Sequence, residues 1–177
     1  MLEALNCPVP ASIQDLGRRG YRHFGVPVSG ALDNVSMRLA NALVRNPPDA
    51  AVLEMRLTGP RLQAHAPLRV ALAHAEATIE TADGSRKPLL AWHSATLAPG
   101  DILKIGAVQG GAGYLAVAGG FDVPAVLGSR ATYARAGFGS LLREGVQLLV
   151  GKADLSGPEY AVLPAPTFED GPIRVIP

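Results

Sequence analysis

Two glycine-rich segments carry most of the side chains that could do chemistry, and the first runs from Gln14 to Asp33. It places Asp15, Arg18 and Ser29 among four glycines, so it cannot continue one helix or strand for long. Polar side chains on a shaped loop of this size are typical of a functional site, and its aromatic and valine residues argue against disorder. The segment is the leading site candidate, although Ser29 and Asp33 fit a turn and a helix cap equally well.

The second segment, Tyr114 to Arg135, follows the same logic. An apolar stretch runs into paired glycines, after which come polar side chains on further glycine turns, namely Asp122, Ser129, Arg130 and Thr132. Loops at strand ends commonly carry binding residues. The pattern therefore predicts that these donors and this acid belong to a site.

Glu54 lies inside a predicted strand, on the same face as Arg56. A salt bridge or a solvent-facing position explains this pair simply. A carboxylate on a rigid strand can also act as a hydrogen-bond acceptor or proton carrier. His74 and Glu76 share a strand face in the same way and are weaker candidates.

Other kinds of site have little support in the sequence. The four histidines lack the spacing of a metal site, no serine lies in a nucleophile elbow, and we expect no bound metal. The segment Gly111–Ala116 resembles a dinucleotide fingerprint but leads into a predicted strand rather than a helix. The segment Gly145–Lys152 resembles a phosphate-binding loop with one residue too many.

One amphipathic helix and many short strands must position these residues. Asp33 is a suitable N-cap for a helix over 34–45, whose apolar stripe is Val35, Leu39, Ala42 and Leu43. Period-two patterns and turn residues predict half-buried strands, with a hairpin turn at 83–84. The predicted strands are 2–8, 51–57, 68–73, 77–80, 87–92, 95–97, 102–107, 114–118 and 146–150. This pattern predicts a mainly β fold that closes into a barrel.

Composition limits the partners, the cellular location and the number of domains that we expect for the protein. The chain has 177 residues, 48% of them hydrophobic, with a net charge of +1 and no basic cluster, so neither nucleic acid nor a membrane is an expected partner. A lone cysteine and the lack of a leader or long apolar segment favour a cytoplasmic location. We expect one domain over 1–152 and a Pro- and Gly-rich linker over 153–177 that leads to a missing second half.

Five segments together resemble a known family. They are IQDLGRRG, GVPVSGALD, RLANALVRN, AAVLEMRLTGP and YLAVAGGFDVPAVLGSRATYARAG, and the match extends from about Ile13 to Val150. They resemble the biotin-dependent carboxyltransferase-like family formerly called allophanate hydrolase subunit 2. That family includes the C subunit of bacterial 5-oxoprolinase, the carboxyltransferase part of urea amidolyase and the companion of a sporulation antikinase.

The resemblance implies a cyclophilin-like closed β-barrel and a function in an ATP-dependent complex. The expected activity is 5-oxoprolinase-type hydrolysis of a lactam or amide, with a subunit 1-like partner and a further lactam-utilisation subunit. The alternatives are a component of a urea carboxylase-like system and a regulatory binding module without chemistry. ATP would be used by the complex, and biotin would arrive only on another chain, because the lysines here lack the setting of a biotinylated lysine.

The resemblance also implies roles for particular residues. The acids would manage protons and the other polar residues would bind substrate, with the arginines holding a carboxylate. The implied catalytic residues are Asp15, Glu54 and Asp122, and the implied substrate-binding residues are Arg18, Ser29, Asp33, Asn41, Ser129, Arg130 and Thr132. The chain departs from the family pattern at His74–Glu76, Ala112 and Gly137–Leu141, which favours the binding-module alternative.

Overall fold

The computed structural model describes residues 1–158, 164 and 166. It contains eleven strands and one α-helix in the described part of the chain. In chain order they are β1 (Leu2–Asn6), β2 (Ser12–Gln14), α1 (Asn34–Leu43), β3 (Val52–Met55), β4 (Arg61–Ala64), β5 (Leu68–Ala73), β6 (Ala75–Glu80), β7 (Arg86–Leu89), β8 (Ser94–Leu97), β9 (Ile102–Val108), β10 (Gly113–Val117) and β11 (Gln147–Leu148). The mainly β fold with one helix is confirmed, and the predicted hairpin joins β6 to β7.

The strands form two antiparallel sheets. One has six strands in the order β11-β1-β4-β9-β6-β7, and the other has five in the order β2-β3-β10-β5-β8. The expected closed barrel is not found in the described residues, because no ladder joins the edge strands β2 and β11. Single bridges such as Ser12 with Leu141 replace a continuous pairing there.

Apolar residues pack in two layers. One cluster lies between the sheets, and the other lies between α1 and the outer face of the five-stranded sheet. The middle strands of that sheet are therefore covered on both faces, and all four residues of β3 are buried. The prediction of half-buried strands was wrong here, since the period-two pattern does not reveal the helix above.

Helix α1 begins where expected, but its buried face differs from the predicted stripe. Met37 and Ala40 are buried, while Val35 is 55% exposed. The buried face also carries Asn41, whose Nδ2 donates to the carbonyl of Ala50 at 2.8 Å. Because this hydrogen bond allows a polar side chain to be buried, the buried face of the helix differs from the one that apolar residues alone indicate.

The chain after β11 is anchored at its start. Leu155 packs against the helix-side cluster, and Nη2 of buried Arg69 donates to the carbonyls of Leu155 at 2.9 Å and Gly157 at 3.1 Å. Most of the predicted linker, 153–177, lies outside the described residues, so its boundary stays a prediction. No helix in the described part of the chain is long and apolar enough to cross a bilayer.

Candidate functional site

The first glycine-rich segment forms a loop with a closed neck. The N–H of Arg18 donates to the carbonyl of Val28 at 2.8 Å, and that of Ala31 donates to the carbonyl of Asp15 at 2.9 Å. Gly17 and Gly30 face each other at this neck with φ of +81° and +92°. Only glycine fits there without strain, so these two residues allow the neck to close and project residues 19–27 beyond it.

Asp15 joins the two glycine-rich segments. Its Oδ1 accepts from the N–H of Gly17 at 2.7 Å and from Oγ of Ser129 at 2.6 Å, and its Oδ2 accepts from the N–H of Arg130 at 2.6 Å. Ser129 Oγ in turn accepts from the N–H of Ala131 at 3.0 Å. Both carboxylate oxygens are thus engaged within the protein, and in this arrangement Asp15 and Ser129 position the loops.

Arg18 is one of the most buried large side chains, 2% exposed. Its Nε donates to the carbonyl of Val126 at 3.3 Å, its Nη2 donates to the carbonyl of Ala131, and its guanidinium lies 5.1 Å from the ring centre of Phe138. Nη1 has no hydrogen bond among the described residues. The guanidinium therefore holds the second segment against the first, rather than facing an open cavity.

Glu54 lies at the centre of a second network. Its Oε2 accepts from the N–H of Leu32 at 2.8 Å and from the hydroxyl of Tyr114 at 3.1 Å. That hydroxyl accepts from the N–H of Asp33 at 2.7 Å. Burial, and to a smaller extent the Glu54 carboxylate, raise the pKa of Tyr114 above its usual value, so the phenol stays protonated and donates.

The simple interpretations of the Glu54–Arg56 pair are wrong. Glu54 is 8% exposed and forms no ion pair with Arg56. Its second oxygen, Oε1, makes no hydrogen bond within the described residues.

A polar groove of about 330 Å³ lies beside Glu54, between β2 and the segment after Thr132. Its polar lining consists of Ser12, Gln14, Glu54, Arg56, Thr132, Tyr133 and Arg135. Gln14 is 7% exposed, and its Nε2 donates to Oγ of Ser12 at 2.9 Å and to the carbonyl of Thr132 at 3.4 Å. Its Oε1 is buried without any hydrogen bond among the described residues, which is unusual for a polar atom.

Arg56 and Arg135 supply positive charge to the same groove. Both are exposed, and neither forms an ion pair in the described part of the chain. An unpaired arginine can bind a carboxylate in a bidentate way. Sequence reasoning missed Arg135 and Tyr133, and the only signal for Arg56 was its position two residues after Glu54.

Arg130 does not line this groove but helps to line a second cavity of about 280 Å³, and Asp122 lies beside it. Arg130 Nη2 is 3.7 Å from Asp122 Oδ1. Thr132 lines both cavities, and so does Leu141 from the segment that departs from the family pattern. Of the predicted site residues, Glu54 therefore lines the groove, Arg130 lines the second cavity and Thr132 lines both, while the others line neither.

Three further predicted residues lie elsewhere. Asn41 is fully buried in α1, and its Oδ1 accepts from Asn46 Nδ2 at 3.0 Å. Ser29 has a left-handed φ of 56° at the loop neck and no side-chain hydrogen bond among the described residues. Asp33 caps α1, its Oδ1 accepting from the N–H groups of Val35 at 2.9 Å and Ser36 at 3.0 Å.

Asp33 also belongs to a hydrogen-bonded cluster that sequence reasoning missed. Ser36 Oγ lies 2.5 Å from Asp33 Oδ2 and 2.8 Å from Nε2 of His74, whose ring packs edge-on against Trp92. Ser36 is fully buried, so this Asp, Ser and His set does not present a nucleophile. Burial alone would raise the pKa of Asp33, but the hydrogen bonds from Ser36 and Val35 and the nearby His74 together hold it below its usual value.

The lowered pKa of Asp33 makes stability depend on pH. The ionised carboxylate stabilises the fold fully above the ordinary aspartate pKa of 3.8, and this contribution is lost as pH falls through the lower folded-state value. We expect the free energy of unfolding of wild type to exceed that of Asp33→Asn by about 0.5 to 1 kcal/mol at pH 6. This difference should shrink below pH ~4. Urea unfolding of both proteins between pH 7 and pH 3 measures it.

Asp49→Asn is the matched control, because Asp49 is exposed and forms no ion pair among the described residues. A wild-type advantage over Asp33→Asn that stays constant down to pH 3 would contradict the expectation.

The sequence of this chain is similar to those of a known family and of several characterised proteins. The family model for the carboxyltransferase domain, subdomain A and B, matches residues 24–177. The chain is 32% identical to the C subunit of 5-oxoprolinase from Haemophilus influenzae over 182 residues, covering all of this chain and 57% of that protein. It is 36% identical to urea amidolyase of Lachancea kluyveri over 164 residues, covering 89% of this chain and 9% of that one. The chain thus spans little more than half of the length of the 5-oxoprolinase subunit and about a tenth of the length of urea amidolyase.

Solved structures agree with the sequence matches. The crystal structure of TTHA0988 superposes with a TM-score of 0.84 at 31% identity, covering 96% of this chain and 34% of that one. The Kluyveromyces lactis urea amidolyase structure superposes with a TM-score of 0.78 at 36% identity, covering 95% of this chain and 10% of that one.

Proposed function

Because the chain belongs to the carboxyltransferase subdomain A and B family, we propose that it is the substrate-binding part of an ATP-dependent 5-oxoprolinase-type complex. Its relatives include the C subunit of 5-oxoprolinase, a name that implies other subunits. The partner proposed here resembles subunit 1 of allophanate hydrolase, with a lactam-utilisation protein as a further subunit. The small substrate is a lactam that carries a carboxylate.

The unsatisfied Oε1 of Gln14 is the observation that carries this proposal. A buried acceptor without a partner is rare and costly, and a lactam N–H in the groove would satisfy it once the Gln14 amide turns its oxygen toward the groove that the residue lines. The exposed guanidinium groups of Arg56 and Arg135 line the same groove and suit the substrate carboxylate. 5-Oxoproline presents both an N–H donor and a carboxylate within one small molecule, so it offers a partner to Gln14 and to the arginines that line the groove.

Glu54 suits the role of proton carrier in this groove. Ring opening adds water across the lactam C–N bond, so the carbonyl carbon gains a hydroxyl and the ring nitrogen gains a proton. Glu54 has one oxygen fixed by Leu32 and Tyr114, while its Oε1 makes no hydrogen bond within the described residues. A carboxylate held in this way can pass a proton without changing its orientation.

ATP is not assigned to this chain. The glycines before β10 lead into a strand, and no helix follows Gly145 within the described residues, so neither segment offers the helix N-terminus that binds phosphate. The residues present also supply no carrier lysine for biotin. Both groups would therefore act through other chains of the complex, and no step here depends on them.

The decisive experiment changes Gln14 in the assembled complex. In Gln14→Leu the groove keeps its size but loses the acceptor, so we expect the KM for 5-oxoproline to rise roughly three- to tenfold, with a much smaller change in kcat. The measurement is 5-oxoproline-dependent ATP hydrolysis by the complex co-purified with its partner subunits. Gln109→Leu is the control, because Gln109 is exposed and lies outside this groove. An unchanged KM in Gln14→Leu would contradict the assignment.

A urea carboxylase-type component is the second candidate, favoured by the urea amidolyase relatives. Urea has N–H donors for Gln14 but no carboxylate. Replacing Arg56 and Arg135 together with glutamine should therefore weaken 5-oxoproline binding about tenfold or more and leave urea binding unchanged. The complex could also assemble normally while no groove variant alters the binding of either substrate. That result would support the remaining alternative, a regulatory binding module.

A further inference from the structure

The second cavity occupies the seam between the two sheets. It lies between β2, the edge of the five-stranded sheet, and β11, the edge of the six-stranded sheet. Ile13 of β2 and Leu148 of β11 line it, and both belong to the core cluster between the sheets. We call it the seam cavity, and it opens where strand pairing between the sheets is missing.

The lining of the seam cavity is apolar apart from a few groups. The apolar walls come from Ile13, Val123, Pro124, Val126, Leu141, Leu142, Val146 and Leu148. Arg130 contributes the charge, and no acidic residue lines the cavity in the described part of the chain. Its volume of about 280 Å³ accommodates a ligand of on the order of ten non-hydrogen atoms. An apolar cavity with few polar groups at its edge is the usual form of a small-molecule site.

Arg130 is available to an anion. The carboxylate nearest to its guanidinium is that of Asp122 at 3.7 Å, which is too long for a hydrogen bond, and the two side chains are 45% and 63% exposed. Its position is fixed by the main chain, because its N–H donates to Asp15 Oδ2. Arg18, by contrast, directs its guanidinium to buried carbonyls.

We propose that the seam cavity binds a small aliphatic carboxylate, with the carboxylate on Arg130 and the hydrocarbon between the two sheets. This site is separate from the polar groove and does not rest on the proposed function. Asp122 competes for the same guanidinium, so it weakens ligand binding. Arg130 therefore strengthens binding of the carboxylate, and Asp122 weakens it.

The test uses 4-methylpentanoate as the probe, with 4-methylpentanamide and acetate as comparisons, in calorimetric titrations of the full chain at low salt. We expect saturable binding of the acid, and binding at least about tenfold weaker for the amide, which lacks the charge, and for acetate, which lacks the hydrocarbon. Arg130→Gln should weaken binding of the acid about tenfold, and Asp122→Asn should strengthen it about twofold. Val146→Trp fills the cavity from a partly exposed position and should abolish binding.

Arg143→Gln is the matched control, since Arg143 is exposed on the same segment but does not line the cavity. Thermal unfolding confirms that each variant is folded. Absence of saturable binding to wild type would overturn the proposal. So would equal binding by wild type, Arg130→Gln and Val146→Trp, or equal binding of acid and amide.

Discussion

Gly17→Ala is expected to lower the free energy of unfolding by about 3 to 4 kcal/mol, because it combines backbone strain with overpacking. Gly17 has a φ of +81°, where a Cβ atom is strained in any surroundings. That Cβ would also lie 2.6 Å from the carbonyl oxygens of both Val28 and Ser29. Relief of this overlap requires the loop neck to open.

Gly20→Ala separates the two causes. Gly20 has a similar φ of +93°, but nothing lies within 4 Å of the position that a Cβ atom would take there. Its substitution should therefore cost only the backbone strain, about 1 kcal/mol. Urea unfolding of the two variants measures the difference, and equal losses would show that the neck does not constrain position 17.

Asp15→Ala is expected to cost about 3 kcal/mol, because three donors lose an ionised acceptor together. Its carboxylate connects the loop neck at Gly17 to Ser129 and Arg130, more than a hundred residues later in the chain. Ser129 is buried, so water cannot easily replace the lost bond. The substitution should also loosen the wall shared by the polar groove and the seam cavity.

Equilibrium unfolding and amide hydrogen exchange at residues 129–132 together measure this effect. Asp49→Ala is the control, since it removes an exposed aspartate that forms no ion pair in the described part of the chain. A loss below about 1 kcal/mol for Asp15→Ala, comparable with the control, would be the contrary result.

Local patterns predicted the local elements of the fold. The cap at Asp33, the hairpin turn at 83–84 and most of the strands follow from residue types within a few positions of each other. Strands β2 and β4 were missed, because β2 has only three residues and β4 alternates polar with apolar residues over only four. The arrangement of two open sheets was missed as well, since strand order depends on pairings distant in sequence.

For the site as well, the sequence predicted which segments come together but not what each side chain does. The two glycine-rich segments were recognised as related, and Asp15 does join them. The role of each side chain was not predictable, because burial decides it: Arg18 and Asn41 have the residue types of a binding site but are enclosed in the protein. Gln14 lines a groove and has a buried, unsatisfied oxygen, which no pattern of residue types reveals.

The pairing of β1 with β11 has a consequence for how the chain folds during synthesis. Leu2 pairs with Leu148, 146 residues later, so one edge of β1 must wait until residue 148 has left the ribosome. At ordinary rates of translation this interval lasts roughly 7 to 30 s. The segment that covers β2 is made almost as late, since Ser12 bridges to Leu141. A nascent chain therefore exposes two strand edges for that time, and a premature stop before residue 140 leaves both open to intermolecular pairing and aggregation.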